Sequence, residues 1–120
     1  MTNSTEKHAR EVIDKSLKLA GLDYIDLFLI HSPYPGKKER ADTWKAMEQA
    51  KAEGKIKCLG VSNYGQRHLE ELKDAKEKCE VNQIDIHPFM RRKEEVMYNQ
   101  DKGIALMVSS RRFFGVSARA

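Results

Sequence analysis

At 120 residues the chain is long enough for one compact domain and too short for two. Hydrophobic residues make up 40% and charged residues 33%, a balance that suits a soluble, lightly cored protein, and no apolar run approaches the ~18 residues of a membrane span. The net charge of +4 comes from 22 basic and 18 acidic residues mixed along the chain, which marks solvated helix faces and argues against a nucleic-acid footprint.

Met1 to Glu6 is polar and does not read as a signal peptide. Cys58 and Cys79 show no metal-ligand spacing. The expectation is a cytoplasmic protein with reduced thiols and no metal.

From Glu6 to Ala20, Ala9, Val12, Ile13, Ser16, Leu17 and Ala20 follow the i, i+3, i+4 stripe of an amphipathic helix. Gly21 suits the position just past its end. Tyr24 to Ile30 is a near-continuous apolar run, long enough for a strand and short for a helix. Only Asp26 interrupts it, so both faces are expected to be buried, as in a parallel sheet, with Asp26 a buried structural carboxylate. His31 follows at the C-terminal end of that strand, where ligands meet side chains in α/β folds.

Ser32 to Gly36 contains two prolines and a glycine and reads as a loop. A helix is predicted over Lys38 to Glu53, with Ala41, Trp44, Met47 and Ala50 along one side, Trp44 anchoring it to the sheet and Gly54 closing it. Ile56 to Val61 is the second strand, running into Ser62-Asn63-Tyr64-Gly65. A helix over Gln66 to Lys78 would bury Leu69, Leu72 and Ala75. Val81 to Ile86 is a third strand, ended at His87-Pro88 because proline cannot continue a ladder. A helix over Arg92 to Asp101 carries Val96 and Met97, and Ile104 to Val108 is a fourth strand.

Strands alternating with helices imply parallel pairing and right-handed crossovers. The repeat is roughly 26 residues per unit, against roughly 31 in a 250-residue, eight-unit barrel. That spacing fits half a barrel and equally a small doubly wound sheet. Local sequence leaves the polar residues open too. His31 reads equally as a ligand-facing or a satisfied strand-end histidine. Asn63 suits a helix cap, and Ser62 could support that turn. Gln83 lies inside an apolar strand, where an amide needs a polar partner.

Three blocks, Asp-Tyr-Ile-Asp-Leu-Phe-Leu-Ile-His ending at His31, Gly60-Val61-Ser62-Asn63-Tyr64, and Val81-Asn82-Gln83-Ile84-Asp85-Ile86-His87-Pro88, resemble the aldo-keto reductase family in order and separation. The resemblance runs from about Arg10 to Met107. It implies an α/β fold of parallel (β/α) units, an incomplete TIM-barrel segment of about four strands and four helices. Residues 1–108 would be the partial domain and 109–120 an unmatched tail. It also implies NADP(H) as cofactor and a small aldehyde or ketone as substrate. His31 matches the histidine that polarises the carbonyl. Ser62, Asn63 and Gln83 match residues that hold the nicotinamide carboxamide, and His87 is structural.

The family's aspartate, tyrosine and lysine lie upstream of the matched region, and Tyr24, Tyr34, Tyr64 and Tyr98 do not match the acid's motif. Losing a general acid removes a contribution worth about 10²–10⁴-fold, so the chain is expected to be inactive or weak alone. After Val108, Ser109-Ser110-Arg111-Arg112-Phe113-Phe114 departs from the family pattern. The contrasting expectation is a non-catalytic fragment that associates, with itself or a relative, through open sheet edges.

Overall fold

The computed structural model describes residues 2, 4–34, 36–85 and 93–109. The strand end at His87-Pro88 and the tail from residue 110 lie outside the described residues. The chain runs α1 (Glu6–Ala20), β1 (Ile25–Ile30), α2 (Lys37–Ala52), β2 (Ile56–Ser62), α3 (Gln66–Glu70), β3 (Val81–Asp85), α4 (Lys93–Asp101) and β4 (Ala105–Ser109).

All strand pairs are parallel, and their spatial order β1-β2-β3-β4 follows the sequence. This decides what spacing left open. A doubly wound sheet reverses direction at a switch point, whereas sequential order with right-handed crossovers sets every connecting helix on one face. Burial agrees. Ile30, Leu59, Val61, Asn82 and Ile84 are fully buried, while Leu27, Leu29, Cys58, Ser62, Val81, Gln83 and Met107, on the opposite parity, are partly exposed. The expectation that both faces of β1 are buried is therefore corrected. Among the described residues only the helix side is covered.

Asp26 is corrected likewise. Its side chain is 84% exposed, 3.9 Å from Lys57, because β1 is an edge strand and no described element covers its first turn.

Helix α1 matches its predicted span. Thr5 caps its start by accepting from the His8 amide at 3.3 Å, and Gly21 ends it in the left-handed region. Ala9, Ile13 and Leu17 are its buried face. It packs along α2, where Thr43 is buried and exchanges hydrogen bonds with the Ser4 backbone. In α2, Trp44, Met47 and Ala50 face the core as predicted, but Ala41 is exposed and Ala46 takes an inward position. Trp44 is the anchor. It is 2% exposed within the main cluster, and its Nε1 donates to the Glu77 carbonyl at 3.3 Å.

Two helices differ from expectation. Helix α3 has five residues and ends at Glu70. Beyond it, the amides of Leu72, Lys73 and Ala75 donate to the carbonyls three residues earlier, at 3.0, 3.3 and 3.1 Å. Leu69, Leu72 and Ala75 recur every third residue, which fits this tighter winding as well as an α-helix. In α4, Met97 is 55% exposed and the buried residue is Asn99. No helix of the described residues is long and apolar enough to cross a membrane.

Candidate active site at the strand ends

The candidate residues lie toward the C-terminal ends of adjacent parallel strands. Ile30 pairs with Val61, and His31 and Ser62 are the residues that directly follow them in the chain. Ser62 pairs with Gln83, and Gln83 with Met107. Paired residues share a face, so Ser62 and Gln83 both lie on the half-exposed side of the sheet. His31 is exposed at the start of the loop that follows.

Asn63 has a φ of 57°, the left-handed conformation that asparagine tolerates better than most residues. Three consecutive residues fix this turn. The Asn63 amide donates to the Gln83 carbonyl at 2.8 Å, the Tyr64 carbonyl accepts from Asn82 Nδ2 at 3.0 Å, and the Gly65 amide donates to His68 Nδ1 at 3.1 Å. The reading of Asn63 as a helix cap is corrected, since α3 starts from Gly65 and the capping side chain is His68. Ser62 does support the turn, as its Oγ donates to the Gln83 carbonyl at 3.1 Å. That bond uses the hydroxyl proton, and Asn63 Nδ2 donates to the same oxygen at 3.5 Å, which leaves one lone pair for an incoming N–H.

Asn82 was not singled out in the sequence, although the argument applied to Gln83 holds for it more strongly. It is completely buried, and its Nδ2 serves both the Tyr64 carbonyl and Asn99 Oδ1, the latter at 3.2 Å. Asn99 in turn donates to the Glu95 carbonyl at 2.6 Å. A buried amide chain thus ties the turn after β2 to α4. A cavity of about 250 Å³ lies between α3 and α4, lined in part by Leu69, Leu72, Tyr98 and Ile104, on the helix side and away from the candidate residues.

A family model described as the aldo/keto reductase family matches residues 1–112. The chain belongs to the aldo/keto reductase family. Glyoxal reductase of Bacillus subtilis is 49% identical over 94 residues, covering 78% of this chain and 33% of its own length. An aldo-keto reductase crystal structure, MGS-M4 from a Medee basin deep-sea metagenome library, superposes with a TM-score of 0.84 at 34% identity. That match covers 90% of this chain and 41% of the other. The Bombyx mori aldo-keto reductase in complex with NADP gives a TM-score of 0.79 at 30% identity, over 88% of this chain and 37% of that one. This aldo/keto reductase chain spans about a third of the length of the curated relatives it matches, and its solved neighbours are TIM-barrel enzymes.

The geometry of the turn in this aldo/keto reductase chain carries a pH dependence. Burial holds the His68 imidazole below its ordinary pKa, and the nearby Arg40 and Arg67 lower it further. Its Nδ1 must be unprotonated to accept from Gly65. Because the folded pKa is depressed, the unfolded chain takes up the proton first as pH falls. Stability from His68 is fully present above about pH 6.5 and is lost as pH falls through its lower folded value. The urea midpoint should drop between pH 7 and pH 5, and His68→Gln should flatten that slope. An identical slope in the variant would show that the cap is not the linked group.

Proposed function

We propose that this chain carries the carbonyl-orienting and carboxamide-binding part of an NADP(H)-dependent reductase of small aldehydes or ketones. The observation that carries the reading is the pairing of Ser62 with Gln83 on adjacent strands, with Asn63 in a left-handed turn beside them and His31 directly after Ile30, the partner of Val61. A carboxamide offers one carbonyl oxygen and two N–H groups. Ser62 Oγ, which accepts from Asn63 Nδ2, keeps one further lone pair for an N–H, and the Asn63 and Gln83 amides add donors and acceptors, so the set fits that group. When bound, the nicotinamide supplies the hydride. His31 would donate a hydrogen bond to the substrate carbonyl oxygen, withdrawing charge from the carbon under attack. Rigid strand ends fix the distances among these groups.

The likeness to a glyoxal reductase favours small, compact carbonyls. Two unpaired cysteines, Cys58 and Cys79, support a reducing, cytoplasmic setting. Proton delivery is not provided by these residues. Among the described residues Tyr64 is buried, Tyr24 precedes β1 at its far end from His31, Tyr98 in α4 donates to Glu70, and the exposed Tyr34 follows His31 by three residues. None of the four matches the family's acid motif, so turnover by the chain alone is expected to be low.

An NADPH fluorescence titration tests the reading without requiring turnover. Asn63→Gly is a sharper variant than alanine, because glycine keeps the left-handed turn while removing the amide. Losing one hydrogen bond should weaken binding about 3- to 10-fold in Asn63→Gly and in Gln83→Ala. Absence of saturable binding by a cooperatively folded chain would remove the cofactor assignment.

A further inference from the structure

We propose that Arg40 is a positioning residue that holds the loop carrying His31 in fixed relation to the turn carrying Ser62 and Asn63. The inference rests on the reading of His31 and Asn63 given above, and it adds a residue far from both in sequence. Arg40 lies in the first turn of α2. Its Nη1 donates to the carbonyl of Pro33, two residues past His31, at 2.8 Å. Its Nε and Nη2 donate to the two carboxylate oxygens of Glu71, both at 2.7 Å. Glu71 is the C-cap of α3, whose N-cap is Gly65, two residues past Asn63. One guanidinium therefore bridges the β1–α2 loop and the segment that follows β2.

The chemistry asks for arginine. A planar fork with five N–H donors serves a carboxylate through two of them and still reaches a carbonyl with a third. A lysine ammonium is a compact point charge and does not reproduce that spread. The side chains are 12% exposed for Arg40 and 22% for Glu71, and the bidentate geometry, more than burial, is what sets this pair apart from a single-contact surface ion pair. Arg40 holds the Glu71 carboxyl below the usual carboxylate range. Pro33 itself is buried, so the loop is pinned by packing and by this carbonyl together. Asn82 and His68 hold the Asn63 turn from its other sides. Arg40 adds a side-chain connection between the segment that follows that turn and the histidine loop.

The test uses the full chain and two NMR probes, the imidazole Cε1–Hε1 peak of His31, assigned with His31→Gln, and the backbone amide peak of Asn63. In Arg40→Met both peaks should move by more than a linewidth or broaden several-fold. Arg40→Lys should recover much of the melting temperature, since charge toward Glu71 is kept, yet leave the His31 peak displaced. If Arg40→Met does not fold, Arg40→Lys decides alone. Unchanged peaks in a folded Arg40→Met chain would overturn the proposal. So would an Arg40→Lys chain that restores the His31 peak along with its melting temperature. Should the parent fail to bind NADPH while the peaks respond as described, the clamp stands and the cofactor reading falls.

Discussion

Trp44→Ala is expected to remove a large share of the stability of this chain. Truncating a buried tryptophan typically costs about 3–5 kcal/mol, against a total of about 5–15 kcal/mol for an ordinary domain. Trp44 shares its buried cluster with Ile13 and Leu17 of α1, Ile30 of β1 and Met47 of α2. The void would therefore open where two helices meet the sheet. The substitution also strips the Glu77 carbonyl of the indole N–H, adding the cost of an unpaired polar group wherever water cannot replace it. Urea denaturation should show a midpoint lowered by more than about 1 M, given slopes of about 1–3 kcal/mol/M for small domains. Trp44→Phe keeps most of the apolar volume and loses the donor, so its midpoint should fall between those of the parent and Trp44→Ala. A Trp44→Ala midpoint within about 0.3 M of the parent would mean that α2 does not depend on this anchor.

What the sequence discloses and what it conceals divide along physical lines. Helix α1 was legible because its stripe and Gly21 point the same way, while the Thr5 cap emerges only in the structure. The strand ends were legible because an apolar run that stops at His31 or Ser62 marks where a strand of a parallel sheet finishes, and Gln83 stood out as an amide inside an apolar strand. The length of α3 was not. A three-residue recurrence of Leu69, Leu72 and Ala75 satisfies two kinds of winding, and only the hydrogen bonds separate them. Asp26 misled because alternation assigns a face and says nothing of whether an element covers it. Arg40 was invisible for a related reason. A helix-surface arginine among lysines and glutamates looks like solvated charge until the fold brings Pro33 and Glu71 within reach.

The polar network behind the strand ends explains why so few residues define the site. The Asn63 turn has unfavourable backbone geometry for most side chains, and such conformations persist only where their surroundings over-determine them. Here the turn donates to the Gln83 carbonyl and to His68 Nδ1 and accepts from Asn82 Nδ2, partners that belong to two different elements. Strand pairing then transmits that rigidity to Ser62 and, one strand over, to Ile30, which His31 follows. Fixed donors at a strand end lose little entropy on meeting a ligand, which suits a group that must be held at a set distance.

Gly60→Ala is the smallest substitution expected to disturb both the sheet and the candidate site. A Cβ at this position would stand 2.8 Å from the carbonyl oxygen of Val81 and 3.2 Å from its Cβ, and would also press on a Leu29 methyl. The methyl can rotate toward the open face at little cost. The carbonyl cannot, because Gly60 and Val81 are partners in the β2–β3 ladder, and the same oxygen accepts from the Cys79 thiol at 3.3 Å. Relief must come from separating the two strands locally, and overpacking of this kind costs about 1–3 kcal/mol. Ser62 lies two residues further along β2 and pairs with Gln83 across the same gap, so the displacement reaches the carboxamide-binding pair. The expected result is a lowered urea midpoint, with NADPH binding weakened more than in Gln83→Ala, since two groups lose their spacing instead of one losing its amide. Leu29→Ala in the same chain separates the contributions. It makes room for the methyl clash alone, so a Gly60→Ala/Leu29→Ala double variant should stay as weak in binding as Gly60→Ala. Recovery of binding in the double variant would show that the side chain of Leu29, and not the Val81 backbone, is what requires glycine at position 60.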